Sequence, residues 1–230
     1  MGKKDIKLHI GCGDIYKKGY VNIDAYNLPV ADIKAKANKL PYSEKSVDLI
    51  ENHHLLEHLD RKTLETTLKE WFRILKPRGK LIIEVPNLEK NIETFLKSSY
   101  HERWENYRKE FEHGRIQLIY GKGEEQGQLH KNGFDKERLK RILQNHGFVK
   151  IKVSHKRGTP IQGENLIAVC EKSNKRIYKK LRNGDNYKFL KTKKDKEISF
   201  FRKLLRKFKS QTVFWLRYLA DTIEEIKISK

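Results

Sequence analysis

The stretch Leu8-His9-Ile10-Gly11-Cys12-Gly13, followed by Gly19-Tyr20-Val21-Asn22-Ile23-Asp24, decides the fold. Two short apolar runs flank a glycine turn and the second ends in an acid, the pattern of two neighbouring strands in a nucleotide-binding sheet. Gly11 and Gly13 let the backbone turn sharply and approach a ligand, while a carboxylate at a strand's carboxyl end, Asp24, can accept hydrogen bonds from both ribose hydroxyls. An adenosine site is the expectation. A pyrophosphate site is not, because a dinucleotide fold wants a third glycine where Tyr16 stands, and Asp24 follows too soon for a crossover helix of ordinary length.

A lone pair of glycines is weak evidence, and the downstream segments carry more. Leu40-Pro41-Tyr42, Ser46-Val47-Asp48-Leu49-Ile50, His54-Leu55-Leu56-Glu57-His58-Leu59 and Leu75-Lys76-Pro77-Arg78-Gly79-Lys80-Leu81-Ile82-Ile83 follow in order. With the glycine turn they resemble the motif series of the class I S-adenosylmethionine-dependent methyltransferases, in particular small members of the type 11 kind, many of them linked to surface-polysaccharide pathways. The resemblance is specific over residues 8–86 and weaker to about residue 172. It implies an α/β fold with a doubly wound, mostly parallel seven-stranded sheet, and S-adenosyl-L-methionine as cofactor. At the matched positions it implies that Gly11, Cys12 and Gly13 meet the methionine half and Asp24 the ribose. Ala25 would face the adenine, the backbone at Ala37 and Asn38 would meet its edge, and Asn52 and His53 would line the methyl-transfer position. The chain departs from the family just before that adenine loop, where members carry an acid and Ala35 and Lys36 stand here.

The remaining bounds fit one catalytic domain with an appendage. The chain has 230 residues, 37% of them hydrophobic, which allows a core, and 35% charged, which makes the surface very polar. A formal charge of +21 suits an anionic partner, whether nucleic acid, anionic lipid or acidic glycan, although a lysine-rich proteome would raise it too. Cys12 and Cys170 are the only cysteines, so neither a disulfide framework nor a four-ligand zinc site is expected. The beginning Met1-Gly2-Lys3-Lys4-Asp5 lacks an apolar signal region and no run of about eighteen apolar residues occurs, so the expected location is cytoplasmic.

Alternating strands and helices fill residues 1–172, the expected methyltransferase domain. Strands are expected at 6–10, 20–24, near 32–35, at 47–51 and at 80–86, with 148–154 and 166–170 as a closing antiparallel pair. Asp60 is placed to cap a helix from about Arg61 to Leu75, whose Leu64, Leu68, Trp71, Phe72 and Leu75 recur at helical spacing. A second helix is expected at 88–97, and a third runs from an Asp135 cap to about His146, with Gly147 suited to the left-handed position beyond its end. Between them, 98–130 reads as a polar, aromatic-studded insertion that covers the substrate.

Beyond Glu171 the composition changes. Residues 174–230 hold eighteen Lys and Arg against six Asp and Glu, so 173–230 reads as a separate basic tail. Ile198, Phe201, Leu205, Phe208, Trp215, Leu219 and Ile226 recur in steps that suit an amphipathic helix, with basic residues around the first half. Such a helix can lie on an anionic bilayer through 198–226, form a homodimer, or pack on its own domain.

For chemistry, a sulfonium methyl group is already activated, so the task is to hold a nucleophile in line with it, and no metal is required. His54 stands at a strand end, where ligands bind in open α/β sheets, and His130 stands in a loop that resembles an active-site segment of some family members; either can act as base toward a hydroxyl acceptor. His54 and His58, four apart beside Glu57, would share a helix face and invite a metal reading, which is set aside because the resemblance makes this segment a strand-to-helix junction. His101, His113, Tyr100, Trp104, Tyr107 and Phe111 suit a sugar pocket, though helical packing explains their spacing equally. The leading expectation is O-methylation of a sugar or lipid-linked glycan near the cytoplasmic face of a membrane. An RNA methyltransferase using the tail for phosphate contacts is weaker, for want of a recognisable RNA-binding module, and a non-enzymatic scaffold is opposed by intact Gly11, Gly13 and Asp24.

Overall fold

A computed structural model describes residues 5–26, 29–105, 114–122, 128–157 and 163–174. The amphipathic pattern at 198–226 and the rest of the basic tail lie outside the described residues. Seven strands form one sheet: β1 (Lys7–Ile10), β2 (Val21–Asp24), β3 (Ile33–Lys34), β4 (Val47–His53), β5 (Leu75–Pro86), β6 (Phe148–Arg157) and β7 (Glu164–Lys172). Their order is β3-β2-β1-β4-β5-β7-β6, with β7 antiparallel to both neighbours and the other pairs parallel. The order reverses between β1 and β4, the crevice where open α/β sheets bind ligands.

The pleat sorts the strands into two unlike faces. Leu8 is paired in register with Ile50, Ile50 with Leu81 and Leu81 with Cys170, and all four are buried on one face. Helix α1 (Arg61–Ile74) brings Leu64, Leu68, Trp71 and Phe72 into that core, and α5 (Lys136–Asn145) adds Leu139 and Leu143. Both helices begin as their caps predict, Asp60 accepting from the Thr63 amide and Asp135 from that of Arg138. Gly147 has φ 89°, and a Cβ there would meet the Phe72 ring at 2.8 Å, so only glycine both turns the chain and clears the core.

The opposite face carries His9, Asn22, Glu51, His53 and Glu84, polar groups that tolerate burial by pairing with one another. Among the described residues no helix joins β1 to β2, β2 to β3 or β3 to β4. Lys17 and Tyr20 from the first of these connections reach over this face instead. After β5, α2 (Leu88–Lys97) follows an Asn87 cap, and α3 (Tyr100–Trp104) and α4 (Gln117–Tyr120) belong to the insertion. No helix among the described residues is long and apolar enough to cross a membrane.

Candidate active site

The glycine turn forms where it was expected. Gly11 and Cys12 donate from their amides to the carbonyl of Ile23, tying the end of β1 to β2, and Gly11 and Gly13 have φ of 71° and 52°. A Cβ at Gly11 would crowd the Leu55 side chain at 3.1 Å, whereas one at Gly13 would meet nothing within 4 Å. Gly11 is thus glycine for packing, and Gly13 borders open space. Asp24 accepts from the Gly13 amide at 3.1 Å and from the Tyr26 amide at 2.8 Å, which fixes its carboxylate at the end of β2 beside the turn. Burial pushes the Cys12 thiol up to about 11, so it stays a neutral thiol within the turn.

The other expected cofactor residues divide. Asn52 lies within β4 rather than after it, is fully buried, and donates to the carbonyl of Ile10 at 3.0 Å. Its Oδ1 has no hydrogen-bond partner, so an acceptor group waits, buried, beside the glycine turn. Ala25 is half-buried next to Asp24. Ala37 and Asn38 have work on the other side of the chain: the Ala37 carbonyl accepts from Trp71 Nε1 at 3.0 Å, and Asn38 contacts Thr66 Oγ1. That loop anchors α1. Open space at Gly13, the orphaned Asn52 Oδ1 and the fixed Asp24 carboxylate together have the donor and acceptor chemistry to fit an adenosyl amino acid.

His53 also lies in β4, and its ring points into the polar face. Nε2 meets Glu51 Oε1 at 2.7 Å and Nδ1 meets Glu84 Oε2 at 2.9 Å. Two carboxylates that can only accept demand two donors, so the ring is an imidazolium; the Glu51 bond foremost, opposed by burial, raises its pKa. Glu51, held first by His53 against burial and then by Lys17 and Tyr20, is lowered to about 2. Lys156 and Asn165 complete the network on Glu84, at 2.7 and 3.0 Å. Sequence reasoning missed this network, although Glu51 and His53, two apart in a strand, had to share a face.

His54 leaves the strand in a left-handed conformation, φ 52°, which turns its ring away from that of His53. Its Nδ1 lies 3.1 Å from Glu57 Oε1, and its Nε2 makes a long contact of 3.4 Å with Asn165 Nδ2. A carboxylate only accepts, so the proton sits on Nδ1 and the Nε2 lone pair is the basic one. The segment Leu56–His58 is a single 3-10 turn that excludes His54, so His54 and His58 do not share the helix face that the metal reading supposed.

His54 and His130 line one cavity of about 280 Å³, together with His58, Gln117, Lys122 and Gln128. His130 is held by Nδ1 against the carbonyl of Ile119 at 3.1 Å, and burial lowers its pKa. Gln117 is buried and neither amide atom has a partner. Among the described members of the set expected to line a sugar pocket, Tyr100, His101 and Trp104 are absent from this cavity wall: Trp104 stands edge-on to Phe95 at 5.3 Å, and His101 pairs with Glu105. Tyr107, Phe111 and His113 lie outside the described residues.

The comparisons agree with this architecture. Residues 8–83 match the family described as a methyltransferase domain. No curated protein matches the chain in sequence. Among solved structures it is similar to an S-adenosylmethionine-dependent methyltransferase of Methanosarcina mazei, at 19% identity and TM-score 0.50, over 74% of this chain and 94% of that one. A Thermotoga maritima protein described as a possible histamine N-methyltransferase shares 18% identity at TM-score 0.51, over 74% of this chain and 84% of that one. The 1,6-didemethyltoxoflavin N1-methyltransferase of Burkholderia thailandensis, solved with its substrate and S-adenosylhomocysteine, shares 15% at TM-score 0.51, over 75% and 73%. At such identities the likeness is one of fold.

Proposed function

We propose that this chain, whose residues 8–83 match a methyltransferase domain, uses S-adenosyl-L-methionine for O-methylation of a sugar or lipid-linked glycan at the cytoplasmic face of a membrane. The observation that carries the reading is the His54–Glu57 pair, with the His54 ring in the cavity wall and the buried Glu57 carboxylate behind it. The donor supplies an electrophilic methyl group on a sulfonium. The protein's part is to bring an acceptor oxygen into line and to take its proton.

Glu57 holds Nδ1–H of His54 and so leaves Nε2, beside Asn165 Nδ2, as the basic atom, the orienting role that a buried carboxylate plays toward an imidazole base. Of the two expected histidines, His54 is assigned the base because a carboxylate, which stabilises the imidazolium as it forms, holds its Nδ1–H, whereas a neutral carbonyl holds that of His130. Asp24 would hold the ribose and the glycine turn the methionine half, with Asn52 Oδ1 as an acceptor within reach of the turn. The unpartnered Gln117 amide, with Gln128 and Lys122, offers donors and acceptors that suit a polyhydroxylated acceptor. Ligand cavities run roughly from 300 to 1,000 Å³, so about 280 Å³ fits one small unit of an acceptor, such as a single sugar.

RNA methylation is favoured by one observation, the charge of +21. Labelled methyl transfer from S-adenosyl-L-methionine separates the readings: lipid-linked and nucleotide-activated sugars should gain an alkali-stable O-methyl, and RNA should not. His54→Ala should lower turnover by roughly 10²–10⁴-fold, the usual worth of a general base, with cofactor affinity nearly unchanged. Methylated RNA with unmodified sugars would overturn the assignment, and a wild-type rate in the variant would remove His54 as base.

A further inference from the structure

The residues that hold His54 and wall the cavity also compose a ligand set of their own. Glu57, His58 and His130 each bring one ligand atom to within 4.8 Å of the others. Two of the three come from the turn after β4 and the third from the loop before α5, and that loop is clamped to the turn because the Lys131 and Asn132 amides both donate to the Glu57 carbonyl, at 2.7 and 2.9 Å. The His58 and His130 rings meet edge to face with centroids 5.0 Å apart.

Two features point to a ligand rather than to packing. Each histidine sets its Nδ1 against a backbone carbonyl, His58 to Leu129 at 3.2 Å and His130 to Ile119 at 3.1 Å. A carbonyl only accepts, so the protons sit on Nδ1 and both Nε2 atoms present lone pairs, the tautomer that metal-bound histidines are held in by their outer partners. Glu57 is 1% exposed, and while Oε1 takes the His54 proton, Oε2 is buried with no partner. A carboxylate oxygen in that condition is costly unless something satisfies it.

We propose that Glu57, His58 and His130 bind a divalent transition-metal cation of the zinc or cobalt class in the wall of the cavity. Two imidazoles and one carboxylate select such ions over magnesium or calcium, which take all-oxygen shells. Bonds of about 2.0–2.1 Å hold tetrahedral ligand atoms about 3.4 Å apart, so the trio closes by at most about 1.5 Å around the ion. His58 and His130 also line the cavity, so an acceptor oxygen bound there would complete the shell. That last role rests on reading the cavity as the acceptor site; metal binding itself does not.

The test uses full-length protein stripped with chelator and titrated with Co²⁺ alone, without cofactor or acceptor, followed by visible absorption and by melting temperature. One equivalent should give ligand-field bands without thiolate charge transfer, since Cys12 and Cys170 take no part, and should raise the melting temperature; Zn²⁺ should displace it. His58→Ala and His130→Ala should each weaken binding at least about 100-fold, beyond the 10–100-fold cost of losing an outer partner. His101→Ala, an exposed histidine elsewhere, should leave it unchanged. Should His130→Ala fail to fold, the half-buried His58 still decides the matter. Absence of a saturable band, or wild-type affinity in His58→Ala, overturns the site, and neither result touches the methyl-transfer assay.

Discussion

At the scale of single residues, Asp24 joins an observed contact to a proposed one. Its carboxylate holds the Gly13 amide, and the proposed cofactor site gives it the ribose hydroxyls as well. Asp24→Ala should therefore weaken S-adenosylhomocysteine binding by roughly 1–3 kcal/mol in isothermal titration, the range for hydrogen bonds to a charged group. An unchanged affinity would remove the ribose assignment. The glycine turn and Asp24 were legible in the sequence because they depend on local backbone geometry and on the end of one strand. The direction of His53 was not, since neither Glu84 nor Lys156 is near it in the chain, and only the register of β4 against β5 and the fold of β6 bring them together.

Among the elements, β4 and β5 share a charge relay whose pH response follows from its signs. Glu51 falls to about 2, held first by His53 and also by Lys17 and Tyr20, so its contribution to stability is present above its ordinary value near 4.5 and is lost as pH drops toward 2. His53 is raised above 6.5, chiefly by Glu51, so its contribution is full below about 6.5 and fades as pH climbs through the raised value. Melting temperature against pH should then show a plateau between about 4.5 and 6.5 that declines on both sides. Glu51→Gln should flatten the acid limb and His53→Gln the alkaline one; identical profiles for wild type and both variants would mean that the network does not couple to folding. Helix α1 was readable in advance from its Asp60 cap and its spacing of apolar residues, and α5 likewise. The insertion was not, because α3 and α4 are short and take their place from contacts such as Trp104 on Phe95.

For the whole molecule, charge and sheet geometry set different questions. The proposed site lies at the carboxyl ends of β1, β2 and β4, yet more than half of the +21 belongs to residues 174–230, with eighteen basic against six acidic side chains. If 198–226 forms an interfacial helix, vesicles containing anionic lipid should retain the full chain and release a version ending near Ser173, because apolar insertion and basic attraction act together. Salt should weaken this only in part, and Phe208→Ala or Trp215→Ala should weaken it further. Phosphate-dominated RNA binding behaves otherwise: it falls steeply and log-linearly with salt, as each neutralised phosphate releases condensed counterion, and it is indifferent to those aromatics. The aromatic variants thus separate a membrane-facing glycan enzyme from an RNA enzyme. Protein that ignores anionic vesicles yet binds RNA with a steep salt slope would overturn the membrane reading, and protein that ignores both would assign the helix to its own domain or to a second copy of the chain.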